Sequence, residues 1–371
     1  MSERLSRVAA LLGWAERSIA LLDRCRPSNA ASEAQRTSEL WARREPANPA
    51  WVYARPPDFG SLRIQLESLS SGLDRDDPIA GLYAARADEL ELEARIAEAV
   101  GSARFRELAR HRYPVPAGKV ARARARAWAR VEGEGVVPEL IRSDTRADAR
   151  SLLSQLLAEV AQRKLPVSVM LREDLQSVAA TTAESVLVKP GVLLSPREAR
   201  RIVVHELLGH VLPRVAARSA PLALLRVGSA AAADDEEGRA LDLERRSGLL
   251  GRARRLELGR RHLAASWAAE GADWVETVRR LIDGGAPASV AMALANRVQR
   301  GGGLAREVVY LPALLRVEQA FEREPELDDW LAAGRLSLAA ARVLRRVKPR
   351  LLADGSGHAH ARMRSLIQPP Q

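Results

Sequence analysis

The sequence predicts a predominantly helical α+β fold, and three observations predict it. Apolar residues recur at three- and four-residue spacing over residues 3–24, 78–100, 103–111 and 145–163, the period of a helix with one buried face. Short β-branched runs bounded by chain breakers stand between residues 165 and 195. Helical patterning returns at Ser195 and continues almost to the end. The 371 residues are enough for a large core. They divide by this pattern into a helical N-terminal region over 1–150, a domain over 151–350 and a flexible tail over 351–371.

The first helix, 3–24, opens with charges at Glu3 and Arg4 and has no signal-peptide core or small-residue cleavage site, so a cytoplasmic location is expected. Residues 27–76 are broken by prolines and glycines and are expected to be partly irregular, pinned to a neighbouring core by Trp41, Trp51 and Tyr53. Residues 167–171 and 185–188 read as strands, with 192–194 as a third, in one small sheet. Ser195-Pro196-Arg197-Glu198 is a helix start: serine caps, proline fits the first helical position, and Glu198 closes a capping box. That helix is expected to end near Leu212, because Pro213 cannot continue it. Another is expected from an Asp234 N-cap to Arg246, with Gly248 as its stop.

Composition narrows the function. A single cysteine, Cys25, excludes a disulfide scaffold and a Cys-ligated structural zinc. No run approaches 18 uninterrupted apolar residues, so no membrane span is expected. The net charge of +11 invites a nucleic-acid partner, yet only Lys119, Lys164, Lys189 and Lys348 of the 58 basic residues are lysines. So strong an arginine skew points to codon bias rather than to phosphate contacts. Many arginines also stand beside acids at helical spacing, as in Glu198-Ala199-Arg200-Arg201. The densest basic run, Arg122, Arg124, Arg126 and Arg130, reads as a solvated helix face, so nucleic acid is not the expected partner.

The chemistry concentrates in His205-Glu206-Leu207-Leu208-Gly209-His210, which holds two of the six histidines. The common zinc-hydrolase motif sets its histidines four apart on one helix face. Here they are five apart, which at about 100° per residue separates them by roughly 140° on an ideal α-helix. The sequence therefore predicts a π-turn between Glu206 and His210, with Gly209 absorbing the distortion. The plain alternative is two packing histidines beside an unrelated acid. A third ligand decides between them. Asp234, Asp235, Glu236 and Glu237 open the next helix and offer one, with Gly238 permitting close backbone approach; the same acids also complement a helix dipole.

His205-Glu206-x-x-x-His210 followed by Glu236-Glu237-Gly238-Arg239-Ala240 resembles the tyrosine/phenylalanine carboxypeptidase family. Its bacterial members are also described as flavohaemoglobin expression-modulating QEGLA-motif proteins, and its animal members include the microtubule-associated tyrosine carboxypeptidases. A second block, Arg297-Val298-Gln299-Arg300-Gly301-Gly302-Gly303 with Val309-Tyr310-Leu311, is similar to that family too, so the resemblance spans residues 165–345. It implies a zincin-like metallopeptidase core and one zinc per chain, held by His205, His210 and Glu237, with Glu206 as catalytic acid/base. The implied substrate is a peptide or protein C-terminus ending in Tyr or Phe. Such a donor set leaves one zinc position open for water.

A carboxypeptidase also needs a cation for the terminal carboxylate. Arg297 and Arg300, in the second block, are the candidates, with Arg306 and Lys189 beside them; Tyr310 is a candidate donor to the oxyanion. The chain departs from the family at Glu236, often Gln there, and at Arg239, where the family has Leu; Arg239 is expected to add a charge near the site. Two other readings stand beside this one: a different zinc hydrolase, endopeptidase or amidase, and a non-catalytic basic helical binding protein.

Overall fold

Helices carry most of the described chain, as the apolar periodicity predicts, and the few strands fall between residues 141 and 194. The computed structural model describes residues 3–115, 119–130, 139–175, 177–182 and 184–351. From residue 352 on, the expected tail lies outside the described residues. The chain divides into two compact units, one of Gly133–Gly251 with Ala313–Gln371, the other of Ser2–Glu132 with Arg252–Pro312. Among the described residues no helix is long and apolar enough to cross a membrane.

The second of these units is helical. The expected 3–24 helix breaks at Ala20, which takes a left-handed conformation (φ 41°) between Glu3–Ile19 and Leu21–Arg24. The stretch 27–76 is more ordered than expected, with helices Ala30–Ala42 and Gly60–Ser71. Its anchors are partly polar, so apolar periodicity does not register them. The buried Glu33 carboxylate accepts from Arg36 at 2.7 Å and from the Ala50 amide at 2.6 Å. Trp41 meets Trp274 edge-on, ring centroids 6.2 Å apart. Asp77 caps Pro78–Glu98 by accepting from the Ile79 and Ala80 amides. Of the basic run, Arg122 pairs with Glu270 at 2.8 Å and Arg124 lies over the Trp128 ring. Helices Lys119–Ala129 and Arg252–Glu270 touch through Gly259, where a Cβ would sit 2.7 Å from the Ala125 carbonyl oxygen.

The other unit holds all the strands found among the described residues, and there they form two small sheets rather than one. β1 (Ile141–Arg142) pairs antiparallel with β5 (Leu193–Leu194); β2 (Ser168–Leu171) runs parallel to β4 (Ser185–Val188), and β3 (Ala179–Thr181) antiparallel to it. Val186 and Val188 of β4 pack with Leu152 and Leu156 of the helix Leu152–Gln162 and with Ile202, Val203, Leu207 and Val211. One apolar core thus backs the segment that carries the histidine motif.

Two expected helix ends move. The motif helix does not stop at Pro213: it runs as Pro196–Val203, a π segment Val204–Val211, and Leu212–Arg218. Pro213 falls in the first turn after the π segment, where its fixed φ fits a helix; the amide it lacks has to be made good from elsewhere. The following helix, Ala232–Arg246, starts two residues before Asp234, after Ala231 in a left-handed conformation (φ 58°) and with no side-chain cap.

Candidate metal centre

Ser195 and Glu198 exchange the two bonds of a capping box, Ser195 N to Glu198 Oε2 at 2.9 Å and Glu198 N to Ser195 Oγ at 3.2 Å. From this fixed start the helix reaches His205 and enters the expected π register. Helix Ala232–Arg246 crosses it very closely. A Cβ on Gly209 would lie 2.5 Å from Ala240 Cβ, and one on Gly238 would lie 2.6 Å from the Ala313 carbonyl carbon. Asp235, Glu236, Glu237, Arg239, Asp242 and Glu244 are all buried on this second helix. Burying so many charges is costly unless each is matched. Asp235 meets Arg316 at 2.8 Å, and Asp242 meets Arg245 at 2.7 Å and Arg246 at 2.8 Å.

His205 Nε2 and His210 Nε2 lie 3.4 and 3.8 Å from Glu237 Oε2, and the three side chains are 11, 10 and 12% exposed. Among the described residues this is the one group of three His, Cys, Asp or Glu side chains whose ligand atoms all lie within 4.8 Å of one another. The imidazole rings stand edge to face, centroids 5.0 Å apart. Each ring is held from behind. His205 Nδ1 is 2.8 Å from Glu244 Oε1, and His210 Nδ1 is 2.7 Å from Glu236 Oε1. A carboxylate on Nδ1 fixes the ring and leaves Nε2 to the centre, the usual support of a metal-ligating histidine.

Burial opposes a charged imidazole, but Glu237 and Glu244 outweigh it and raise the His205 pKa to about 9. The pocket therefore favours a positive charge. Burial also works against an ionised Glu236, yet Arg214, His210 and Arg335 hold its carboxyl down at about 2. Two imidazole nitrogens and a carboxylate oxygen, converging in a cation-seeking pocket, fit a zinc ion. Glu206 sits beside them, its Oε2 accepting from Thr181 Oγ1 of β3 at 2.6 Å.

Of the remaining sequence-derived candidates, Arg297, Arg300, Arg306 and Tyr310 belong to the other unit, Lys189 and Arg239 to this one. Arg297 Nε and Arg300 Nη2 approach Glu307 Oε1 at 2.6 and 3.2 Å. Burial alone would raise the Glu307 pKa, but Arg300, Arg297 and Arg261 lower it to about 2. Arg297 and Arg300 thus share one buried carboxylate, while Arg261 pairs with a second, Glu257, at 3.3 Å. Arg306 Nη1 donates to the Tyr310 hydroxyl at 3.0 Å, and Arg261 lies 4.6 Å over that ring. Lys189 Nζ donates to the Leu175 carbonyl at 3.0 Å. Arg239 does not add a free charge: it is 1% exposed and paired with Asp328 at 2.7 Å.

Sequence reasoning missed Thr181, Glu244, Glu307 and Arg261. Glu244 carried a signal, since it follows Glu237 by two helical turns on the same face. Thr181 carried none.

A protein-family model described as microtubule-associated tyrosine carboxypeptidase matches residues 39–368, well beyond the 165–345 marked by the motifs. No curated protein matches the chain.

Proposed function

The chain belongs to the microtubule-associated tyrosine carboxypeptidase family, and from that premise we propose that it is a zinc-dependent metallocarboxypeptidase removing a C-terminal Tyr or Phe from peptides or proteins. The observation that carries this reading is the buried group His205, His210 and Glu237, with both histidines held at Nδ1 by carboxylates. The strand β3 lying against the motif helix, through Thr181 and Glu206, supports a zincin-like core.

When bound, zinc supplies Lewis acidity to the scissile carbonyl and lowers the pKa of a water to about 7. Glu206 accepts the proton of the attacking water and delivers it to the departing amine. Thr181 keeps that carboxylate in place through its hydrogen bond. Arg297 and Arg300 bind the terminal carboxylate, two guanidiniums that share the one Glu307 carboxylate. Tyr310 donates to the developing oxyanion.

The test is a pair of peptides ending in a free and an amidated tyrosine, digested by the full chain and read by mass spectrometry. Free peptide should be cleaved and amidated peptide slowed roughly thirtyfold to a thousandfold, the worth of a charge-assisted pair of about 2–4 kcal/mol. Arg297→Ala or Arg300→Ala should lose that discrimination. Equal cleavage of both peptides by the intact protein overturns the carboxypeptidase reading in favour of an endopeptidase.

A further inference from the structure

The π segment leaves one backbone acceptor without its ordinary partner. In that register each amide donates five residues back, and the Leu212 amide accordingly reaches the Leu207 carbonyl. The next amide would serve the Leu208 carbonyl, but residue 213 is proline and has no N–H. Leu208 is buried, where an unpaired carbonyl is costly. Its oxygen instead accepts from Arg239 Nη1 at 3.0 Å. Arg239 reaches it from the opposing helix, two residues after Glu237, with Nε donating to Asp328 Oδ1 at 2.7 Å.

We infer that Arg239 is a positioning residue for the metal centre: its guanidinium replaces the hydrogen bond that Pro213 cannot make and so locks the π register that brings His205 and His210 together. The inference rests on the zinc-site reading above. One side chain spans both helices that supply ligands, giving His205 and His210 on one side and Glu237 on the other a fixed relative position. Asp328 orients the guanidinium and keeps a second partner, Arg246 Nη1 at 2.9 Å, so the carboxylate is not stranded when Arg239 is replaced.

The test measures Zn²⁺ affinity of the metal-stripped full chain by chelator competition, with the visible spectrum of the Co²⁺ form as a second readout. Arg239→Met should weaken Zn²⁺ binding roughly tenfold or more, the usual effect of losing a support of the ligands, and shift the Co²⁺ bands. Adding Pro213→Ala supplies the missing amide and should restore affinity and spectrum. Asp328→Asn breaks the ion pair but spares the carbonyl bond, so its Zn²⁺ affinity should stay within about twofold of the starting protein, well below the 10–100-fold effect expected of a true ligand support.

Unchanged affinity and spectrum in Arg239→Met overturn the inference, as does a double variant no better than the single one in binding or in folding. A loss in Asp328→Asn equal to that in Arg239→Met reduces the role to the ion pair and overturns it too. Absence of Zn²⁺ binding by the unaltered chain is a different outcome: it removes the zinc-site reading itself.

Discussion

Gly209→Ala probes the contact on which the metal centre is built. The new Cβ would lie 2.5 Å from Ala240 Cβ and 3.2 Å from Ala240 Cα. Carbon atoms in contact prefer about 3.5–4.0 Å, so the two helices must part by roughly 1 Å. Both groups belong to helix backbones and cannot swing aside. The same parting acts on bonds that cross between the helices, His205–Glu244 at 2.8 Å and His210–Glu236 at 2.7 Å. About 1 Å more takes each beyond the hydrogen-bonding range. Overpacking should cost about 1–3 kcal/mol of stability, and loosened histidines about 10–100-fold in zinc affinity. Urea unfolding and chelator competition read the two effects. Ala240→Gly in the same chain removes the opposing methyl and should recover most of both losses, a coupling that a double-mutant cycle isolates. A Gly209→Ala protein with stability and zinc affinity unchanged refutes the close-crossing argument.

Glu206→Gln should keep zinc while kcat falls about 10²–10⁴-fold, since glutamine preserves size but cannot take the water's proton; near-normal turnover with zinc retained makes another group the base. Glu244→Gln should weaken zinc binding about 10–100-fold by loosening His205, as chelator competition would show. Burial lowers the His262 pKa to about 4, so between pH 6.5 and 4 the unfolded chain binds a proton that the folded chain refuses. Stability should therefore fall as pH falls through that window, by about 2 kcal/mol between pH 7 and 5; a His262→Gln protein, compared by urea unfolding at both pH values, should lose this part of the slope.

The legible parts of this protein were those with local causes. The capping box at Ser195 and the five-residue histidine spacing are written in consecutive residues, and the π register follows from the spacing because two imidazoles must share one face. The acids of 234–237 were visible as acids, but their burial was not. Only the crossing at Gly209 and Ala240, and distant partners such as Arg316 and Asp328, convert a charged helix into an interior one. Pro213 read as a stop because the rule that proline ends a helix assumes a regular register; Arg239 supplies the missing bond from another helix. Thr181 stands on a strand three residues long, Ala179–Thr181, too short and too small-chained to announce itself. Helices Ala30–Ala42 and Gly60–Ser71 were hidden for a related reason, with anchors such as Glu33 reaching the Ala50 amide across a loop.

The most direct test of the central claim is a titration of the metal-stripped full chain with Zn²⁺ while release of tyrosine from a free-ended peptide is followed. Activity should rise from zero in proportion to added zinc and level off at one equivalent per chain, and a Glu237→Gln protein should bind zinc weakly and stay inactive. Full activity without zinc, or zinc bound at His205, His210 and Glu237 with no release of tyrosine, contradicts it.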